Sequence, residues 1–173
     1  MATTLSRLIE PLPGFTPEVG KLVGMMTYVR GTTLAAARGL TTSALDRLQD
    51  GQSNSIGSLL AHIAAVESYY QTVSFEGRPG RGDEGDAFRA ALELGDLARQ
   101  SLKGQPLEHY LAELERVRAR TLDELSRKDD VWLGETKQLG KHVVNQEWMW
   151  FHVFEDEVNH RGQIRWLRKR LPE

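Results

Sequence analysis

Residues 149–171, MWFHVFEDEVNHRGQIRWLRKRL, decide how the chain is read. At about 100° per residue, a helix over this stretch gathers Met149, Val153, Ile164, Leu167 and Leu171 into one stripe. That stripe predicts a core-facing side. Asp156 and His160 fall in the same stripe, four residues apart. Ionisable groups on an apolar face are costly to bury without a partner. A spacing of four sets both side chains on one side of the helix, one turn apart, where they can grip a single ion. Phe151, Phe154 and Val158 fall on the other side and predict packing under the N-terminal arm or a dimer contact. The helix is expected to run from about His142 to Arg170.

The same pattern recurs upstream. In SIGSLLAHIAAVESYYQTVSF, residues 55–75, Leu59, Ile63, Val66, Tyr70 and Val73 form an apolar stripe, and His62 lies among them. Ser53-Asn54 is read as the cap. Two helices therefore each carry a metal-capable group on an inner face, and bundle cores are a recurring home for metal sites built this way. Each signal alone has a plainer reading. A histidine on an apolar face is often a hydrogen-bonded core residue, and Asp156 with His160 can be a weak ion pair.

Working outward, Thr16-Pro17-Glu18 predicts a helix start, with Gly39 as its stop. Residues 1–15, with Pro11 and Pro13, are expected to form an extended arm. A short turn is expected over Thr41–Leu48 and a loop over Glu76–Asp86. A short helix around Asp86–Arg99 and a longer one from about Pro106 to Arg127 follow. Val131-Trp132-Leu133 is expected as a strand-like piece. Four long helices and almost no β-type alternation predict an all-α fold, a four-helix bundle with short extra helices, as a single domain over residues 1–173.

The 173 residues fit one hydrophobic core. A net charge of −2 gives no general attraction to nucleic acid. Arg165, Arg168, Lys169 and Arg170 suit a helix C-terminus instead. The chain has no cysteine, which excludes disulfides, a thiolate nucleophile and sulfur-ligated metals. The first residues lack the apolar core of a signal peptide, and no run is long enough to span a membrane. A cytoplasmic protein is expected.

The stretches 54–67, Asn54-Ser-Ile-Gly-Ser-Leu-Leu-Ala-His62-Ile-Ala-Ala-Val-Glu67, and 152–164, His152-Val-Phe-Glu-Asp156-Glu-Val-Asn-His160-Arg-Gly-Gln-Ile164, resemble the two signature helices of the DinB-like metal-binding superfamily. The aromatic run before the second stretch and the closing Trp166-Leu-Arg168 are similar too. The resemblance implies a crossover topology, a divalent metal such as nickel or zinc, often a homodimer, and a name drawn from damage-inducible genes, hence a stress response. The usual pattern has three histidine ligands. His62 and His160 match the first and last, and Asp156 stands where the middle histidine is usual. Two histidines and one carboxylate leave open positions and shift preference towards iron or manganese. The departure can equally mark a lost site.

The resemblance also implies a small-molecule thiol S-transferase, in which the metal activates a low-molecular-weight thiol such as bacillithiol or mycothiol. A metal-dependent hydrolase and a non-catalytic, metal-binding or dimerising bundle are the alternatives. No catalytic side chain is singled out, although Tyr69 or Tyr70 could position substrate. His152 lies about 12 Å along the helix from His160 and is expected to line the pocket or support a ligand. Glu155 and Glu67 are expected to face solvent, with Glu67 able to orient a ligand. His109 and His142 are read as surface residues. Gly162 costs about 1 kcal/mol in a helix, which predicts close approach of a neighbour.

Overall fold

The computed structural model describes residues 8–78 and 85–172. Among them the fold is all-α, with helices α1 (Pro17–Ala37), α2 (Thr42–Asp46), α3 (Ile56–Phe75), α4 (Gly85–Glu93), α5 (Gly95–Ser101), α6 (Leu107–Leu125), α7 (Asp130–Gly134) and α8 (Gln146–Arg168). A two-stranded antiparallel hairpin, β1 (Thr136–Leu139) and β2 (His142–Asn145), precedes α8. None of these helices is long and apolar enough to cross a membrane.

Several boundaries are set by side-chain caps rather than by periodicity. The Asn145 side chain accepts the Trp148 N–H at 2.8 Å, so α8 begins at Gln146 and not near His142. His142–Asn145 is instead strand, paired Thr136↔Asn145 and Leu139↔His142 across a turn at Gly140, where φ is +59°. The expected strand at Val131-Trp132-Leu133 is helix. Asp129 accepts the Trp132 N–H at 2.8 Å and starts α7 there. Ser55, rather than Ser53-Asn54, caps α3 through the Ser58 N–H. The single short helix expected after residue 86 is two, broken at Leu94, whose φ is +57°. The Glu76–Asp86 loop lies partly outside the described residues, and its last two residues, Gly85 and Asp86, already belong to α4.

Asp130 also ties α7 to α1. Its Oδ1 accepts the Thr16 hydroxyl and the Glu18 and Val19 N–H groups, the last two at 3.0 and 3.1 Å. These are donors that a helix start leaves without intrahelical partners. The arm over residues 8–15 lies against α1 at Gly20, where a Cβ would sit 2.8 Å from the Leu12 nitrogen. Residues 1–7 of the expected arm lie outside the described residues.

The long helices pack α1 on α8 and α6, and α3 on α8 and α6. The core has two apolar halves. One contains Leu45, Ile56, Leu59, Ile63, Leu114 and Ile164. The other contains Val19, Met26, Val73, Leu125, Met149 and Trp150. Each long helix carries a buried ionic residue near the place where its stretches in these halves meet: Arg30 on α1, Glu67 on α3, Arg118 on α6 and Glu157 on α8. A polar layer thus crosses the middle of the core. His62, Asp156 and His160 adjoin this layer along α3 and α8.

Candidate metal centre

His62 comes from α3, while Asp156 and His160 come from successive turns of α8. Each of the three offers a ligand atom within 4.8 Å of the other two. His62 Nε2 lies 3.6 Å from Asp156 Oδ2, and His160 Nε2 lies 3.4 Å from Asp156 Oδ1. The imidazoles meet edge to face, with centroids 4.6 Å apart. His62 is 8% exposed and His160 9%.

The chemistry of this donor set fits a divalent ion. The Ala91 carbonyl, on α4, lies 2.8 Å from His62 Nδ1. A carbonyl only accepts, so Nδ1 carries the proton, and in the neutral ring Nε2 keeps its lone pair towards Asp156. Asp156 Oδ2 and His160 Nδ1 are buried with no hydrogen-bond partner among the described residues. Separations of 3.4 and 3.6 Å are long for hydrogen bonds. They match the spacing of about 3.4 Å between neighbouring ligands of a tetrahedral ion with bonds near 2.1 Å. Burial alone raises the Asp156 pKa, but His160 and His62 in their protonated forms, donating to the carboxylate, outweigh it and hold the carboxyl well below its ordinary value. An ionised carboxylate facing two imidazoles is the form that can bind a cation.

The other sequence candidates lie elsewhere. His152 Nδ1 is 3.0 Å from Glu155 Oε2, and its ring stacks on Trp148. Glu155 is exposed as expected, and so are His109 and His142. Gly162 has nothing within 4 Å of a notional Cβ, so close helix approach does not explain it. Phe154 borders the groove between arm and α1. Phe151 and Val158 are 45% and 38% exposed.

Glu67 is not solvent-facing. It is fully buried, and its carboxylate accepts from Arg118 Nε at 2.7 Å and Arg30 Nη2 at 2.8 Å. Arg30 Nε reaches Glu157 Oε1 at 2.9 Å. Arg118 Nη2 reaches Glu67 Oε2 at 3.1 Å and Glu157 Oε2 at 3.4 Å, and Nη1 of Arg30 and of Arg118 bond the Leu114 and Met26 carbonyls. Burial raises the Glu67 pKa, yet the Arg118 and Arg30 guanidiniums prevail and lower it to about 2. Arg30, Arg118 and Glu157 escaped the sequence reading. A signal existed, because Arg30 continues the Val19, Val23, Met26 stripe and Glu157 follows Val153 by one turn.

A family model described as mycothiol S-transferase matches residues 21–172. No curated protein matches the chain.

Proposed function

Because the chain belongs to the mycothiol S-transferase family, a DinB-like family of thiol transferases, we propose that His62, Asp156 and His160 hold one divalent ion and that the protein transfers mycothiol to a small electrophile. The carrying observation is the convergence of three ionisable groups on one point, two of them with buried atoms left unpaired. A bound divalent ion supplies the Lewis acidity that favours a thiolate over a thiol at neutral pH. The chain has no cysteine of its own, so the nucleophilic sulfur comes from the substrate.

The residues divide the work. Ala91 orients His62 through its carbonyl. Asp156 contributes the negative charge that draws the cation in, and His160 closes the set from one turn further along α8. The site lies largely out of water, with His62 8% and His160 9% exposed, which strengthens electrostatic contacts there. In the transfer itself the thiol proton passes to solvent. The sulfur then forms a bond to the electrophilic carbon, and the leaving group departs with the electron pair of the broken bond.

The carboxylate at 156 favours iron(II) or manganese more than three histidines would, alongside nickel and zinc. This reading takes the protein as cytoplasmic, where low-molecular-weight thiols stay reduced, as responding to electrophile stress, and as a homodimer with Phe151 and Val158 at the contact. The test is incubation of metal-loaded protein with mycothiol and a chlorinated aromatic acceptor, followed by mass spectrometry. The expected result is a thioether conjugate with release of chloride, lost in His62→Ala. Absence of conjugate across acceptors and metals contradicts the proposal.

A further inference from the structure

Trp148, His152, Asp156 and His160 follow one another at intervals of four along α8. They climb one side of the helix in steps of about 6 Å. The last two belong to the candidate metal centre. The first two are stacked on each other, with ring centroids 5.1 Å apart and planes inclined by 6°. From α3, Tyr70 meets His152 edge to face at 5.8 Å, and Tyr69 meets Tyr70 in the same way at 5.2 Å.

α3 and α8 run antiparallel through this region. His62 faces His160, Tyr70 faces His152, and the Ser74 hydroxyl bonds Gln146 and the Trp150 indole. The aromatic groups therefore continue the row that starts at the three candidate ligands, towards the N-terminal end of α8.

Two tryptophans on this stretch have opposite environments. Trp150 is fully buried, with its N–H on Ser74 and Phe75 stacked against it at 4.9 Å. Trp148 is 42% exposed. Its backbone N–H is bound by the Asn145 cap, and its ring, open to solvent, is stacked on His152. It also borders a hollow of about 600 Å³ formed with the hairpin, where Val143 is 70% exposed.

Mycothiol carries its cysteine sulfur on a body of amino sugar and inositol. With the sulfur at the three candidate ligands, that body must lie against a surface within its own reach. From Asp156 to Trp148 the helix rises about 12 Å, a span suited to two linked rings. Sugar rings have C–H faces that pack on aromatic faces, and hydroxyls that need polar partners. The Trp148 and His152 rings supply the first, and the exposed Glu155 carboxylate beside the row, 3.0 Å from His152 through one oxygen, supplies the second.

We infer that the Trp148–His152 stack, edged by Tyr70, is the subsite for the sugar–inositol body of the thiol, an inference that rests on the thiol-transfer reading above. Trp148 and His152 set specificity through binding and take no part in bond making.

The test compares mycothiol with N-acetylcysteine, which offers the sulfur without the body, in steady-state transfer by wild type and Trp148→Ala. The variant is expected to raise KM for mycothiol about tenfold. Its kcat, its metal content and its kinetics with N-acetylcysteine are expected to stay unchanged. Trp148→Phe recovers part of the loss. An unchanged mycothiol KM, or an equal change for both thiols, overturns the subsite while leaving the transferase reading intact. If wild type transfers neither thiol, the transferase reading fails and the subsite is judged by binding alone. S-methylmycothiol, which has no free thiol, then quenches tryptophan fluorescence saturably in wild type and much less in Trp148→Phe. Absence of that quenching also overturns the subsite.

Discussion

Arg30, Glu67, Arg118 and Glu157 adjoin His62, Asp156 and His160 along α3 and α8, and the two groups treat their polar atoms differently. In the first, each carboxylate accepts at least two guanidinium N–H groups at 2.7 to 3.1 Å, with one further contact at 3.4 Å, and the Nη1 atoms of both arginines find backbone carbonyls. Two positive and two negative groups cancel. In the second, the nearest approaches are 3.4 and 3.6 Å, and a carboxylate oxygen and an imidazole nitrogen have no partner. A buried network that joins four helices is complete in itself. A cluster that receives a ligand leaves donors and acceptors unspent, a local shortfall typical of functional sites.

The contrast can be broken first by substitution. Glu67→Ala leaves two buried guanidiniums without their shared carboxylate and is expected to cost about 3–5 kcal/mol. His160→Ala, measured by urea unfolding of metal-free protein, is expected to cost clearly less, about 1 kcal/mol. Equal losses would mean that both clusters are structural.

Acid provides the next test. Free glutamate titrates near 4.5, and Glu67 in the folded chain near 2. A depressed folded pKa adds stability that is whole above pH 4.5 and is lost as pH falls through about 2. Wild-type stability, followed by thermal unfolding, should therefore decline across that window. Glu67→Gln should decline less steeply from a lower starting point, and a slope equal to wild type would contradict the assignment.

A smaller effect is expected for Asp156→His, which restores the usual third imidazole. Bound nickel and zinc, measured by equilibrium dialysis, should hold or rise, with iron and manganese falling. Loss of all metal would place Asp156 outside the ligand set. The smallest effect is expected at Gly162, two residues beyond His160. With open space around its Cβ position, Gly162→Ala should stabilise α8 by about 0.5–1 kcal/mol in thermal unfolding. Destabilisation would show that this side of α8 is as tightly packed as the arginine–glutamate layer.

Much of this was legible in the residues, for identifiable reasons. The 3.6-residue period alone placed His62, Asp156 and His160 on inner faces, because an apolar stripe leaves few directions for what lies within it. The likeness of residues 54–67 and 152–164 to a known pair of helices then tied the two stripes to one centre. The partners of Glu67 were not legible, because they sit on α1, α6 and α8 and pair only once the helices are packed. The group that orients His62 is a backbone carbonyl, which has no sequence signature. Helix boundaries failed where one side chain decided them, with Asn145 starting α8 after a hairpin and Asp129 turning Val131-Trp132-Leu133 into helix.

Elemental analysis of the purified, dialysed protein beside His62→Ala, Asp156→Ala and His160→Ala addresses the central claim most directly. Close to one divalent ion per wild-type chain, and a strong fall in all three variants that remain folded by circular dichroism, is the predicted result. Metal retained undiminished by the variants, or a wild-type chain that takes up none from nickel, zinc, iron(II) or manganese, would contradict it.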